Sequence, residues 1–345
     1  MRFKIFLCFL CFSLLFTFLI GGCSKTGKEE YPETGKLVIY TYDSFASDWG
    51  PGPVVIPAFE KKTGISVELL ALGDAGQALS RVIMEKDDPG GDIILGIDNN
   101  MLPQALAADV LVPYKSDGLK NVRNDLIFDK TGRLTPYDYG NFAIIYDSEA
   151  IEDPPESLEE LASGSQDRSV ILMDPRTSSP GFGFLLWTIA EYGDGYAEYW
   201  KRLRPKILTV TDGWDSGYGL FTAGEAPMVL SYTTSPAYHV EYEETDRYRA
   251  AVFANGNYGQ IEGLGIIKGG PNPGPARAFV DFVLSPDFQK EIPLTNWMYP
   301  VINDVVLPES FDYAPAPDKT LLLDAGEISE KRAEWIDNWT KIMTE

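Results

Sequence analysis

Cysteine and histidine are scarce in this sequence. Its three cysteines all lie within the first 23 positions, and its one histidine is His239. Beyond residue 23 the chain therefore has no disulfide, no thiolate metal site and no cysteine nucleophile. A lone histidine among apolar and aromatic neighbours is more often a hydrogen-bonded structural residue than a general base.

Common catalytic motifs are missing as well. The sequence has no Gly-x-Ser-x-Gly elbow, no glycine-rich phosphate loop ending in Lys-Ser/Thr, and no cluster of His and Cys for zinc. A hydrolase that uses two carboxylates stays open, although no motif positions such a pair. We therefore predict that the protein is not an enzyme and has no catalytic residues, cofactor or metal site.

Basic residues are outnumbered by acidic ones. The chain has 29 Lys and Arg against 51 Asp and Glu, which gives a formal net charge of −22. Such a field repels nucleic acid and anionic membrane surfaces and attracts a cationic ligand. High net charge also keeps an exported protein soluble, so the charge alone does not identify a ligand.

The N-terminus carries an export pattern. Arg2 and Lys4 precede an apolar run over residues 5–20, which predicts a signal peptide over residues 1–22. The small residues before Cys23 are typical of a lipoprotein processing site, so we expect Cys23 to be lipidated. An uncleaved signal anchor is the alternative, but only Lys25 and Lys28 follow the run to stop transfer.

Residues 23–35 are polar and without periodicity, which predicts a flexible tether between a lipid and the folded domain. We expect a membrane-anchored lipoprotein on the periplasmic or extracellular face. Its contact with the membrane would be through the N-terminal lipid only, and the folded part is expected to be a monomer.

Strand and helix patterns alternate along the rest of the chain. The first predicted elements are strands at 36–41, 67–72 and 92–97 and helices at 54–62, 75–86 and 101–108. This βαβαβ order predicts an α/β protein with a mostly parallel sheet. A turn at 136–140 and the segment 260–267 are the expected crossovers. They divide the chain into lobe 1, residues 36–139 and 260–345, and lobe 2, residues 140–259.

Polar residues follow several of these strands, at the sheet edge where open α/β sheets bind ligands. Asp74 and Asp98 follow the second and third strands, and Asp98 is alternatively a helix N-cap. Ser178 and Ser179 precede a helix, with Ser179 the expected N-cap. They would either hold an anion at the helix terminus or only cap it.

The stretch 229–239 runs from a buried strand into hydroxyl residues and two tyrosines. It is either a plain strand-to-helix turn or one wall of a binding cleft. Aromatic faces and carboxylates together suit a flat cationic organic ligand, because each face attracts a desolvated cation by roughly 1–2 kcal/mol. The residues that could supply them are Tyr42, Trp49, Asp74, Trp214, Tyr232, Tyr238 and Trp297.

Five longer strings carry a family resemblance. They are YTYDSFASDWGPGPVV (40–55), LGIDNN (95–100), DPRTSSPG (174–181), LSYTTSPAYH (230–239) and NWMYP (296–300). On these strings, the chain from Leu37 to its C-terminal helix resembles the bacterial periplasmic thiamine-binding proteins. Those proteins are the substrate-binding components of thiamine ATP-binding-cassette importers.

The resemblance implies a two-lobe, type II periplasmic-binding fold with mixed, mostly parallel sheets and a ligand cleft between the lobes. It implies thiamine, thiamine monophosphate and thiamine diphosphate as ligands and a transporter permease as partner. The positions that match the family's ligand contacts are Tyr42, Asp74, Ala75, Ser178, Ser179, Trp214, Tyr232, Thr233, Thr234, Ser235, Tyr238 and Trp297.

Within this set, Asp74 and the tyrosines are expected at the cationic ring end of the cleft. Ser178 and Ser179 are expected at the opposite, phosphate end. Ala75 replaces a family glycine, and alanine adopts a positive φ less readily.

Two alternatives remain. A thiaminase-like enzyme would share the fold but needs a cysteine nucleophile. The second alternative is a receptor for another small cation, either a polyamine or ferric ion. Ferric sites of this fold class lack stacking tryptophans, so Trp214 and Trp297 weigh against iron.

Replacing the predicted lipidation site tests the anchor. Cys23→Ser should abolish lipidation and release the protein into the soluble fraction, because the thiol is the acylated group. Fractionation followed by immunoblotting measures this. Retention of the variant in the membrane fraction would instead favour an uncleaved signal anchor.

Overall fold

The computed structural model describes residues 35–163 and 169–345 of the protein. The predicted signal peptide, Cys23 and all but the last residue of the predicted tether lie outside the described residues. Among the described helices, none combines the length and apolar character that a membrane crossing requires.

Twelve strands form in the described residues. They are β1 Gly35–Thr41, β2 Ile65–Ala71, β3 Ile93–Asp98, β4 Leu111–Val112, β5 Thr135–Asp147, β6 Val170–Met173, β7 Ile207–Thr211, β8 Met228–Tyr232, β9 Tyr248–Ala251, β10 Asn257–Ile267, β11 Tyr299–Pro300 and β12 Thr320–Leu321.

The α-helices lie between these strands and after the last one. They are α1 Asp43–Ala46, α2 Gly52–Thr63, α3 Ala75–Met84, α4 Leu102–Ala108, α5 Leu158–Ser163, α6 Ser179–Tyr192, α7 Tyr196–Leu203, α8 Trp214–Thr222, α9 Ser235–Glu243, α10 Pro273–Val283, α11 Pro286–Gln289, α12 Ile292–Thr295 and α13 Ala325–Thr344.

The predicted βαβαβ unit is present at the start of the fold. β1 pairs in parallel with both β2 and β3, and helices α2 and α3 connect them. β3 is buried along its whole length, as expected for a strand covered on both faces. Gly64 ends α2 with φ of 74°, a left-handed conformation that glycine adopts without a Cβ penalty.

The sheet is mixed, with strand order β2-β1-β3-β10-β5-β8-β6-β7. β5 pairs with β10 through its first half and with β8 through its second half, both antiparallel. It therefore runs through both halves of the sheet. The turn predicted at 136–140 is wrong: these residues lie inside β5, where Gly140 lets the Met298 side chain approach closely. The predicted α/β class is confirmed.

Separate apolar cores cover the two halves. One surrounds β1, β3 and the end of β10, and another surrounds the second half of β5 together with β6 and β8. Helix α13 buries Trp335 and Trp339 in the second of these cores. The lobe boundaries remain a prediction, and this packing argues for placing α13 with lobe 2.

Parallel strands from both halves end at one cleft. β1 and β2 end there at Tyr42 and Asp74, and β6, β7 and β8 lead there into helices α6, α8 and α9. Side chains after these strands consequently face one another across the cleft, where open α/β sheets bind ligands.

Candidate functional site

The cleft contains a cavity of about 390 Å³. Eight of the predicted ligand-binding residues line it: Tyr42, Asp74, Ser179, Trp214, Tyr232, Ser235, Tyr238 and Trp297. Both halves of the protein contribute to this lining. The other four, Ala75, Ser178, Thr233 and Thr234, are buried but do not line the cavity.

Asp74 accepts hydrogen bonds at the N-termini of three helices. As the N-cap of α3, its Oδ1 accepts from the Ala75 amide at 2.6 Å. The same oxygen accepts from the Ser179 amide of α6 at 3.2 Å, and Oδ2 accepts from the Trp214 amide of α8 at 3.1 Å. Helix N-termini present free amides and positive dipole ends, which favour a carboxylate. Asp74 thus joins the first half of the protein to the second.

Burial and these hydrogen bonds act on Asp74 in opposite directions. Burial raises the pKa of its carboxyl, while bonds from Ser178, Ser179, Trp214 and Ala75 lower it. Burial is the larger effect, so the pKa of Asp74 lies above its ordinary value.

The expected separation of Asp74 from the serines is wrong. Asp74 bonds directly to Ser179, so both belong to the same end of the cavity. Ser178, not Ser179, is the N-cap of α6, and its Oγ accepts from the Gly181 amide at 3.4 Å. Pro180 is therefore the second residue of the helix, a position where its missing N–H costs little.

The remaining predicted residues outside the cavity lining have structural surroundings. Ala75 is the first residue of α3 and packs in the core beside β1 and β3. The positive φ in this loop belongs to Gly73, at 82°, so alanine at position 75 is not strained. Thr233 and Thr234 form the turn between β8 and α9; their buried hydroxyls have no hydrogen-bond partner among the described residues. The stretch 229–239 is thus both a turn and, through Tyr232, Ser235 and Tyr238, part of the cavity wall.

Trp214 forms a fixed aromatic wall. Its ring stacks on Tyr218 with centroids 4.8 Å apart and planes 19° apart. Its Nε1 donates to Ser231 Oγ at 2.8 Å, which sets the orientation of the indole. Trp49 lies 6.1 Å from it, centroid to centroid, across the cavity mouth. Trp49 is 43% exposed and lines the cavity as well.

His239 supports this wall from behind. Its Nε2 bonds to Tyr218 Oη at 2.8 Å and its Nδ1 bonds to Glu243 Oε2 at 2.7 Å. Burial lowers the pKa of this imidazole, and the Glu243 carboxylate partly opposes the effect. The ring is buried and bonded at both nitrogens, which agrees with the structural interpretation made from the sequence.

Tyr238 and Trp297 form a second aromatic wall. Their rings meet edge to face, with centroids 5.3 Å apart. Trp297 has φ of 55°, an uncommon conformation for a bulky residue and one that is concentrated at functional sites.

A polar floor completes the cavity. Tyr42 Oη donates to Glu262 Oε2 at 3.1 Å, and Tyr137 Oη donates to the same oxygen. Asn296 Nδ2 donates to Asp138 Oδ2 at 2.5 Å. Burial and then Asp138 raise the pKa of Glu262 well above its usual range, and burial raises the pKa of Asp138 to about 8.

Sequence reasoning missed this floor, with Tyr42 the one member it predicted. Glu262, Asp138 and Tyr137 lie inside strands, whereas ligand residues were sought at strand ends. A carboxylate inside a buried strand was the available clue. Asp98, the other carboxylate considered, does not line the cavity. Its Oδ1 accepts from the Asn100 and Met101 amides in the turn before α4. The N-cap of α4 is Met101, so the N-cap predicted at Asp98 is wrong.

The charge of the cavity lining is one-sided. Six carboxylate side chains line it: Asp43, Asp74, Asp212, Asp215, Glu243 and Glu262. Among the described residues that line it there is no lysine, arginine or histidine. In the same described part of the chain, no group of three His, Cys, Asp or Glu side chains is arranged to hold a metal ion. The carboxylates of this lining suit a cationic ligand, and its aromatic walls offer that ligand flat faces.

Comparisons with known proteins identify relatives of this chain. The family model for bacterial extracellular solute-binding proteins matches residues 52–290. The thiamine-binding periplasmic protein of Brucella abortus is 46% identical over 306 residues, 88% of this chain and 91% of the relative. That of Escherichia coli is 43% identical over 308 residues, 89% of this chain and 93% of the relative. A solved periplasmic thiamin binding protein has a TM-score of 0.85 at 41% identity, covering 92% of this chain and 98% of its own. The expected periplasmic-binding fold is confirmed.

Two variants of Asp74 test its role at the helix termini. Asp74→Ala leaves buried amides of α3, α6 and α8 without an acceptor, so we expect the free energy of unfolding to fall by about 1–3 kcal/mol. Asp74→Asn keeps one acceptor oxygen and should cost less. Urea unfolding followed by circular dichroism measures both. Equal losses in the two variants would show that hydrogen bonding by this side chain does not stabilise the fold.

Proposed function

Since the chain belongs to the bacterial extracellular solute-binding protein family, we propose that it captures thiamine in the cavity described above and delivers it to an ATP-binding-cassette importer. The observation that carries the proposal is a cavity with two aromatic walls, six carboxylates in its lining and no basic side chain among the described lining residues. Thiamine has two flat rings, and its thiazolium ring carries a permanent positive charge.

The energetics of such a cavity are sufficient for capture. A desolvated aromatic face attracts a cation by up to about 2 kcal/mol, and a hydrogen bond to a carboxylate contributes about 1.5–3 kcal/mol. Micromolar binding needs about 8 kcal/mol net. The faces of Trp214 and Trp297 and one hydrogen bond to Glu262 would supply at most about 7 kcal/mol. A second hydrogen bond, to another of the lining carboxylates, raises this upper limit above what micromolar binding needs, before the cost of closing the two halves on the ligand.

We propose binding without catalysis. Displacing the thiazole of thiamine requires a nucleophile, and the cavity lining has no cysteine, lysine or histidine among the described residues. The same cavity is less suited to ferric ion, because no three of its described carboxylates are grouped to hold a metal ion. A polyamine fits the charge but makes no use of flat walls.

The location of the protein follows from the same proposal. A receptor for an importer must work outside the cytoplasmic membrane, and the relatives from Brucella abortus and Escherichia coli are both described as periplasmic. We propose that Cys23 carries the lipid and that residues up to 35 tether a monomeric binding domain to the membrane surface.

Calorimetric titration tests the proposed ligand. The protein should bind thiamine in preference to spermidine and ferric ion. Trp214→Ala and Trp297→Ala should each weaken thiamine binding by about 1–3 kcal/mol, because each removes a stacking face. Tyr313→Ala, at a 50% exposed tyrosine outside the cavity, is the matched control and should bind normally. Preference for spermidine or ferric ion, or unchanged affinity in both tryptophan variants, would contradict the proposal.

We further propose that thiamine monophosphate and diphosphate occupy the same cavity, with the phosphate at the N-termini of α6 and α8. The amides of Ser179 and Trp214 are the donors at these termini, and both donate to Asp74 in this structure, so a phosphate would compete with that carboxylate for them. A helix N-terminus favours an anion by about 0.3–1 kcal/mol. A phosphate placed there would approach the Asp74 carboxylate, whose charge opposes it.

Asp74→Asn tests this placement through a ratio of affinities. Removing the negative charge should raise the affinities for both phosphate esters relative to that for thiamine, and added salt should reduce the difference. Calorimetry with the three ligands measures the ratio, and the unsubstituted protein is the reference. The same change in affinity for all three would place the phosphate elsewhere.

A further inference from the structure

Three carboxylates lie side by side across the centre of the sheet. In the registers of β10 with its two neighbours, Glu262 is opposite Asp98 of β3 and also opposite Asp138 of β5. The two aspartates are fully buried, and Glu262 is 6% exposed. Like charges directly opposite each other on neighbouring strands are destabilising, and burial increases the cost.

The hydrogen bonds to these carboxylates come from neutral groups. Gln260 donates to Asp98 Oδ2, Asn296 donates to Asp138 Oδ2, and the hydroxyls of Tyr42 and Tyr137 donate to Glu262 Oε2. Asp138 Oδ1 is buried without a hydrogen-bond partner among the described residues. Arg332 of α13 interacts electrostatically with Asp98, at the end of the row away from Asp138. In residues 35–163 and 169–345 no cation therefore lies beside Glu262.

Glu262 is the member of the row that reaches the ligand cavity. Both hydroxyl bonds to it end on Oε2, which leaves Oε1 for a ligand. The groups packed around it from other elements are Tyr42 after β1, Tyr137 and Asp138 of β5, Asp98 of β3, Tyr232 of β8 and Asn296 after α12. None of them carries a positive charge, so a positive charge at Glu262 would have to come from the ligand or from a proton.

Resting on the proposed function, we propose that Glu262 exchanges a proton for the cationic ligand. It is protonated in the empty cleft, and it releases that proton when a positively charged ring binds beside it. The proton passes to solvent, and the ligand's charge takes its place beside the row. Glu262 thereby becomes a specificity-determining residue, since a neutral ligand of the same shape supplies no charge to replace the proton.

The direction in which thiamine affinity changes with pH follows from the change in the pKa of Glu262 on binding. Burial and then Asp138 raise the pKa of Glu262 in the free protein, and a neighbouring cation lowers it in the complex. Between those two pKa values, binding releases a proton, so affinity rises with pH by up to about tenfold per pH unit. Below both values Glu262 stays protonated in the complex, and the dependence disappears.

Proton release measured by calorimetry tests the exchange. Thiamine is titrated into the intact protein near neutral pH, in phosphate and in Tris, whose protonation enthalpies differ. We expect a difference in apparent binding enthalpy that corresponds to about one released proton, together with weaker binding at lower pH. Glu262→Gln should bind thiamine more weakly, with no proton release and little pH dependence.

Two further variants sharpen the experiment. Glu241→Gln removes an exposed carboxylate outside the cavity and should release a proton as the unsubstituted protein does. Asp138→Asn removes the neighbouring carboxyl that helps to raise the pKa of Glu262. Proton release should persist in this variant, with its window at lower pH. If Glu262→Gln does not fold, proton release by the unsubstituted protein is the measurement that tests the exchange.

Two results would overturn the proposed proton exchange and leave the proposed function standing. One is thiamine binding without proton release between pH 5 and 9. The other is proton release by Glu262→Gln equal to that of the unsubstituted protein. Failure of the unsubstituted protein to bind thiamine overturns both.

Discussion

The cost of burying negative charge is the constraint on which this structure depends. Carboxylates from both halves of the protein line one cavity, and the basic residues of the described chain lie outside that lining. In a medium of low dielectric constant, such charges require hydrogen bonds, protons or a cation. At Asp74 helix amides supply hydrogen bonds, at Glu262 two tyrosines do so, and a cationic ligand would complete the balance.

Asp74 also links this electrostatic balance to the arrangement of the two halves. The carboxylate leaves β2 in the first half and accepts from the helices that follow β6 and β7 in the second. These bonds across the cleft satisfy amides that would otherwise need water. The aromatic walls depend on the same region, because Trp214 is both the first residue of α8 and the face presented to the cavity.

Much of this architecture was predictable because it is local. Apolar runs gave the parallel strands, and polar residues after them marked the edge at which Tyr42, Asp74 and Trp214 meet. The floor was not predictable in the same way. Glu262 and Asp138 are adjacent only because β5 and β10 pair in one register, and pairing between distant segments is not encoded in local periodicity. The N-cap of α6 is Ser178, one residue before the predicted N-cap Ser179, and sequence patterns do not locate a helix end to within one residue.

A structure of the protein with bound thiamine tests the central claim most directly. The account predicts one thiamine in the cavity, with its rings against Trp214 and Trp297 and a nitrogen-bearing group within hydrogen-bond distance of Glu262 Oε1. Thiamine bound outside the cavity, or inside it with neither aromatic wall in contact and Glu262 still bonded only to Tyr42 and Tyr137, would contradict the account.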